Sequence, residues 1–207
     1  MPVEFLISAF VTLLVVVDPV GLAPPFLAVT DGLSAKHRRQ VAQRACLIAA
    51  AILFGTALIG DWLLRQLGIT LPAFRVAGGL LLFAIAFEMV FGFRMERESN
   101  SAERAAEEHV HHIAAFPLAI PLMAGPGAIT ATVLLAGQAA GQPLRLAILL
   151  GVIVVVCAAC LVAFLFAERI GKLIGVTGNV VLSRLLGVIL AALAVQYVID
   201  GVRAIFA

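Results

Sequence analysis

Six long apolar runs separated by short polar stretches give this chain its pattern. They lie near residues 5–29, 45–64, 74–93, 113–137, 144–166 and 181–202. Each approaches the roughly 20 residues that a helix needs to cross about 30 Å of hydrocarbon, so the pattern predicts an all-α integral membrane protein with six transmembrane helices. The one strongly polar stretch, "RMERESNSAERAAEEHVHH", follows the third run. It divides a single transmembrane domain into a first half over 1–93, a cytoplasmic linker over 94–112 and a second half over 113–207.

The halves repeat one another. Pro19 aligns with Pro126, Asp61 with Glu168, Arg65 with Lys172, Gly68 with Gly175 and Thr70 with Thr177. After a two-residue insertion, Arg75 meets Arg184, Gly78 meets Gly187 and Gly92 meets Gly201. Three spans per half force the second copy to enter the membrane from the opposite side. The pattern therefore predicts an inverted repeat, common in secondary transporters. Gly78, Gly79, Gly151 and Gly187 are expected at close helix contacts.

Composition supports lipid as the solvent. Apolar residues make up 63% of the 207 positions and charged residues 13%, with a mean hydropathy of +1.13; soluble domains carry about a quarter charged residues. A net charge of +2 gives nucleic acid no basic surface to hold. Cys46, Cys157 and Cys160 sit in apolar surroundings, where thiols act as small hydrophobes. The first run lacks a basic leader and a small-residue cleavage site and is read as a retained span. Orientation follows from the short loops. Lys36, Arg38, Arg39, Arg44, Arg94, Arg97, Arg104, Arg169 and Lys172 lie on one side, against Arg65, Arg145 and Arg203 on the other. Nine against three puts the first group in the cytoplasm and both termini outside.

Two spans contain residues that ordinary membrane helices avoid. The first holds "VVVDPVGLAPPF", residues 15–26, and the fourth holds "IPLMAGPGAITA", residues 120–131. Proline removes a donor and clashes with the preceding turn, and glycine tolerates the dihedrals of an interruption. Helices 1 and 4 are therefore expected to break near the midplane, with Pro19 and Pro126 opening new half-helices and Asp18 capping the first. Two helix N-termini facing each other form an anion site without a basic side chain, suited to a carboxylate. An acid at this depth costs about 2.5–3.5 kcal/mol on the insertion scale, which makes Asp18 the candidate for proton or ion coupling; a pure cap is the plainer reading. Pro24, Pro25, Pro117 and Pro121 read as packing kinks or terminal residues.

"DPVGLAPPF" and "PLAIPLMAGPGAI", in a six-span chain of this length, resemble the MarC-related membrane proteins, also called the neutral amino-acid transporter family. The resemblance covers essentially the whole chain. It implies a multi-pass inner-membrane secondary transporter for small neutral amino acids such as glycine and alanine, with substrate contacts at Asp18, Pro19 and Gly21 and at Gly125, Pro126 and Gly127.

Other features rank lower. Arg75 and Arg184 can snorkel or pair with Asp18 or a substrate carboxylate. Glu88 can reach the interface. Asp61, Glu168 and Asp200 read as solvated span ends. His109, His111 and His112 follow Glu107 and Glu108 without a recognised metal spacing and read as a charged loop. No metal, cofactor or catalytic set is predicted, and no phosphate-binding loop of an ATPase is present. A carrier working by alternating access leads, a channel is the alternative, and a membrane-embedded enzyme comes third. The expected partners are the bilayer and a small carboxylate-bearing solute; the sequence leaves the oligomeric state open.

Overall fold

The apolar runs form helices throughout a computed structural model that describes residues 2–94, 97 and 114–206. In chain order these are α1 (Pro2–Val17), α2 (Ala23–Val29), α3 (Ala35–Gln66), α4 (Leu71–Phe91), α5 (Ala114–Met123), α6 (Pro126–Gln138), α7 (Pro143–Leu165) and α8 (Ala167–Phe206). Within α8, Gly175 takes a left-handed conformation at φ 64°. Four stretches, α3, α4, α7 and Thr177–Phe206 of α8, are long and apolar enough to cross a membrane. The pair α5 and α6, bent by 57°, makes a fifth if counted as one span. α1 is apolar but has only 16 residues.

Local chemistry sets the ends of these elements. Ser34 caps α3 by accepting the His37 backbone N–H, and Thr70 caps α4 by accepting that of Ala73. α3 begins ten residues before the apolar run over 45–64, so "AKHRRQVAQR" is helical rather than loop. Phe116 and Ile120 are extended inside α5. Each precedes a proline, whose ring pushes the preceding residue out of the helical region.

The closest packing lies between α4 and α8, which run antiparallel. A Cβ at Gly79 would lie 2.7 Å from the Ala194 carbonyl oxygen, one at Gly187 2.9 Å from Met89 Cβ, and one at Gly201 2.8 Å from the Pro72 carbonyl oxygen. Small residues let the two backbones approach where lipid supplies no hydrophobic drive. Gly151, expected at such a contact, has open space instead. It sits on an exposed face of α7. α3 packs on α7, and the broken segments fill the interior between these pairs.

Candidate functional site

The second break is built from its residues as the sequence predicts. Gly125 is the N-cap of α6 with extended backbone (φ −79°, ψ 176°), and Pro126 holds the first turn. Gly125 has no side chain because the Pro121 carbonyl oxygen fills that space. Proline has no N–H to lose, and the N–H groups of Gly127 and Ala128 come too early in α6 for an intrahelical partner. The α6 N-terminus thus carries about half a positive charge.

The first break differs from its prediction. Asp18 is 4% exposed and left-handed at φ 53°, and its Oδ1 accepts the Gly21 backbone N–H at 3.0 Å. That is a capping bond, but the helix it was expected to open starts later. Residues 19–22 form turns and α2 begins at Ala23, with Leu22 at the N-cap and no side-chain cap. The N-terminus of α2 thus stands four residues after Pro19. Gly21 is required because a Cβ there would collide with the Asp18 carboxylate.

The breaks meet through the end of α1. Val16 Cγ1 lies 3.2 Å, and Ile85 Cδ1 2.5 Å, from where a Cβ of Gly127 would stand. A cavity of about 40 Å³ opens there, lined by Val16, Gly125, Pro126, Gly127, Arg94 and Arg97, among others. Asp18, Pro19 and Gly21 are buried but do not line it.

Basic side chains nevertheless stand beside the second break. Arg94, assigned to the linker by the sequence, is only 6% exposed. Its Nη2 donates to the Val16 carbonyl oxygen at 2.9 Å, and its Nη1 lies 3.3 Å from Met89 Sδ. The break explains that acceptor: the last carbonyls of α1 have no helical donors, and Pro19 has no N–H to offer. Gly92 ends α4 at φ 86°, which turns the chain so that Arg94 points back into the bundle. The Arg94 charge also acts on Asp18. Arg97 pairs with Glu88 at 2.9 Å, giving Glu88 a structural partner beside the cavity.

The remaining candidates lie elsewhere. Arg75, half-buried, packs beside Gly201 rather than Asp18, and Arg184 is exposed. Asp61 pairs with Arg65 at 2.9 Å and Glu168 with Arg38, so neither is merely solvated. Asn179 was not singled out by the sequence, yet it is 5% exposed, its amide nitrogen has no partner, and it lines a separate cavity between α2 and α8. His109, His111, His112 and most of the 94–112 linker lie outside the described residues.

Comparison with known proteins points to a family of integral membrane proteins. A family model described as MarC family integral membrane protein matches residues 3–206. A UPF0056 membrane protein of Methanocaldococcus jannaschii is 36% identical over 203 residues, covering 98% of this chain and 98% of its own length. The UPF0056 membrane protein YhcE of Escherichia coli is 33% identical over 208 residues, covering 99% and 94%. YvbG of Bacillus subtilis, also a UPF0056 membrane protein, is 30% identical over 208 residues, covering 98% and 96%. No solved structure matches the chain.

Proposed function

The chain belongs to the MarC family of integral membrane proteins, and from that footing we propose that it is a secondary transporter of small neutral amino acids rather than an enzyme. The observation that carries the reading is the meeting of two oppositely polarised helix ends. The C-terminus of α1 brings the Val16 carbonyl, which Arg94 also engages, and the N-terminus of α6 offers first-turn N–H groups beside Arg94 and Arg97. An amino-acid zwitterion matches that pair, its carboxylate toward α6 and the arginines, its ammonium toward the α1 carbonyls. A cavity of about 40 Å³ is close to the volume of a single water, about 30 Å³, so it marks the meeting point of the two ends and must widen to admit even glycine.

We further propose that the architecture is a six-span inverted repeat, counting α1 with α2 and α5 with α6 as broken spans. Corresponding glycines support it. Gly68 and Gly175, matched in the repeat, share φ 68° and 64°, and Gly32 and Gly141, two residues out of that register, precede α3 and α7 at φ 72° and 73°. Matching helices also pair with each other, α3 with α7 and α4 with α8. Alternating access follows from rocking one repeat against the other, in the inner membrane with both termini outside, and with Asp18 carrying any coupled proton. Reconstitution into liposomes tests the function: labelled glycine or alanine enters saturably and shows counterflow. Unsaturated flux indicates a channel, and no flux with any neutral amino acid rejects the reading.

A further inference from the structure

Two cavities open side by side against α2, away from the α6 site, and Leu27 lines both. The first, about 300 Å³, is cationic. Arg38, Arg39 and Arg169 line it with Glu168 and the first residue of α3, Ala35. Glu168 is engaged by Arg38. Arg39 and Arg169 form no ion pair among the described residues, and the Arg169 guanidinium lies 5.6 Å over the Phe166 ring. The first-turn N–H groups of α3, a 32-residue helix, add their positive end to this mouth. Phe26 and Phe164, stacked at 4.4 Å, form its apolar wall.

The second cavity, about 320 Å³, continues as an apolar trough between α2 and the start of α8. Its walls include Val20, Ala23, Ile170, Gly171 and Ile174, and Asn179 is the one polar side chain among them. Beside α6 the chain packs on itself where Val133 meets Gly60 and where Thr130 and Leu134 meet Gly78, while the cavity of about 400 Å³ at its far end, lined by Ala57, Asp61 and Pro143 among others, carries no arginine in its lining. In a bilayer an apolar trough that the protein leaves unfilled loses dispersion contacts, and the surrounding apolar matter is lipid.

We propose that this slot binds one anionic phospholipid. Its phosphate sits with Arg39, Arg169 and the α3 N-terminus, and an acyl chain lies along the trough. The mouth is at the ends of α3 and α7, hence at the level where headgroups lie, and basic pockets between spans suit anionic headgroups. The unpartnered Asn179 amide suits an ester carbonyl of the glycerol.

Native mass spectrometry of the purified full chain, presented with equal phosphatidylglycerol and phosphatidylcholine, tests this. Phosphatidylglycerol should be retained roughly tenfold over phosphatidylcholine, and the double variant Arg39→Gln/Arg169→Gln should lose the preference, since each surface cation contributes attraction of that order. Gly171→Leu fills the trough, and a Cβ there meets nothing within 4 Å, so the variant should fold and lose the lipid. An Arg65→Gln/Arg203→Gln control should change nothing. If the first double variant fails to fold, salt replaces it: raising the concentration to about 0.5 M should erase the preference in the wild type. Equal retention of both lipids overturns the proposal. So does unchanged retention in Gly171→Leu, which would show that the lipid is held outside the trough.

Discussion

The two broken spans both carry a proline with glycine within two residues, and arrive at opposite electrostatics. In the first, the Asp18 carboxylate folds onto the Gly21 N–H at 3.0 Å, so the break supplies its own anion. In the second, Gly125 has no side chain to cap with, and the N–H groups of Gly127 and Ala128 face a cavity with Arg94 and Arg97. The start of α2 has few donors to offer because Pro24 and Pro25 fill its first turn, whereas the start of α6 keeps those of Gly127 and Ala128. Length follows the same division: α2 has 7 residues and α6 has 13, nearly all of α6 buried.

The largest effect should come from the residue that joins the breaks. Arg94→Gln removes the charge at the cavity and strains the bond to the Val16 carbonyl. Loss of saturable uptake is expected, with destabilisation of about 1–3 kcal/mol if that carbonyl is left unpaired, read by thermal unfolding in detergent. Uptake at wild-type levels would show that the α6 end does not need the arginine.

Next comes Gly127→Val. Its side chain would enter the space held by Ile85 and Val16, closing the cavity, and amino-acid binding by calorimetry should weaken by at least about tenfold, roughly 1.4 kcal/mol. Retained affinity would move the substrate away from the second break.

Asp18 gives a smaller effect of a different kind. Asn keeps an acceptor for the Gly21 N–H and tolerates the left-handed φ of 53°, so Asp18→Asn should fold and bind normally while uptake loses its pH dependence. Asp18→Ala should in addition lose about 0.5–2 kcal/mol of capping. Unchanged pH-dependent uptake in Asp18→Asn would leave the cap as the only role.

The smallest effect compares the halves directly. Gly68→Ala and Gly175→Ala each place a Cβ at positive φ, for about 1–3 kcal/mol, and neither meets a neighbouring atom. Equal losses of unfolding free energy would support matched positions in a repeat; a large difference would count against it.

Much of this was legible in the chain, for reasons that particular residues show. Bilayer thickness sets the length of an apolar run, and lipid offers no hydrogen bonds, so backbone pairing stays within helices and the runs over 74–93 and 144–166 could only be helical. Pro126 and Gly125 announced a helix start because proline lacks a donor and glycine needs no room, and they stand where predicted. Asp18 was legible as a cap, although the start of α2 was not, because a side chain choosing between nearby N–H groups is decided by dihedrals that residue types do not specify.

Tertiary structure alone decided the composition of the site. Arg94 and Arg97 read as loop charges because they follow the apolar run, and a long flexible side chain has the same sequence signature whether it reaches water or a neighbouring helix. Only the packing of α6 against both α4 and α1 brings the Arg94 guanidinium to the Val16 carbonyl. Asn179 was silent for the same reason, since its burial depends on α2 lying across α8. A helix is a local solution to hydrogen bonding and can be read locally; a site is an arrangement of several helices, set by which of their surfaces fit together.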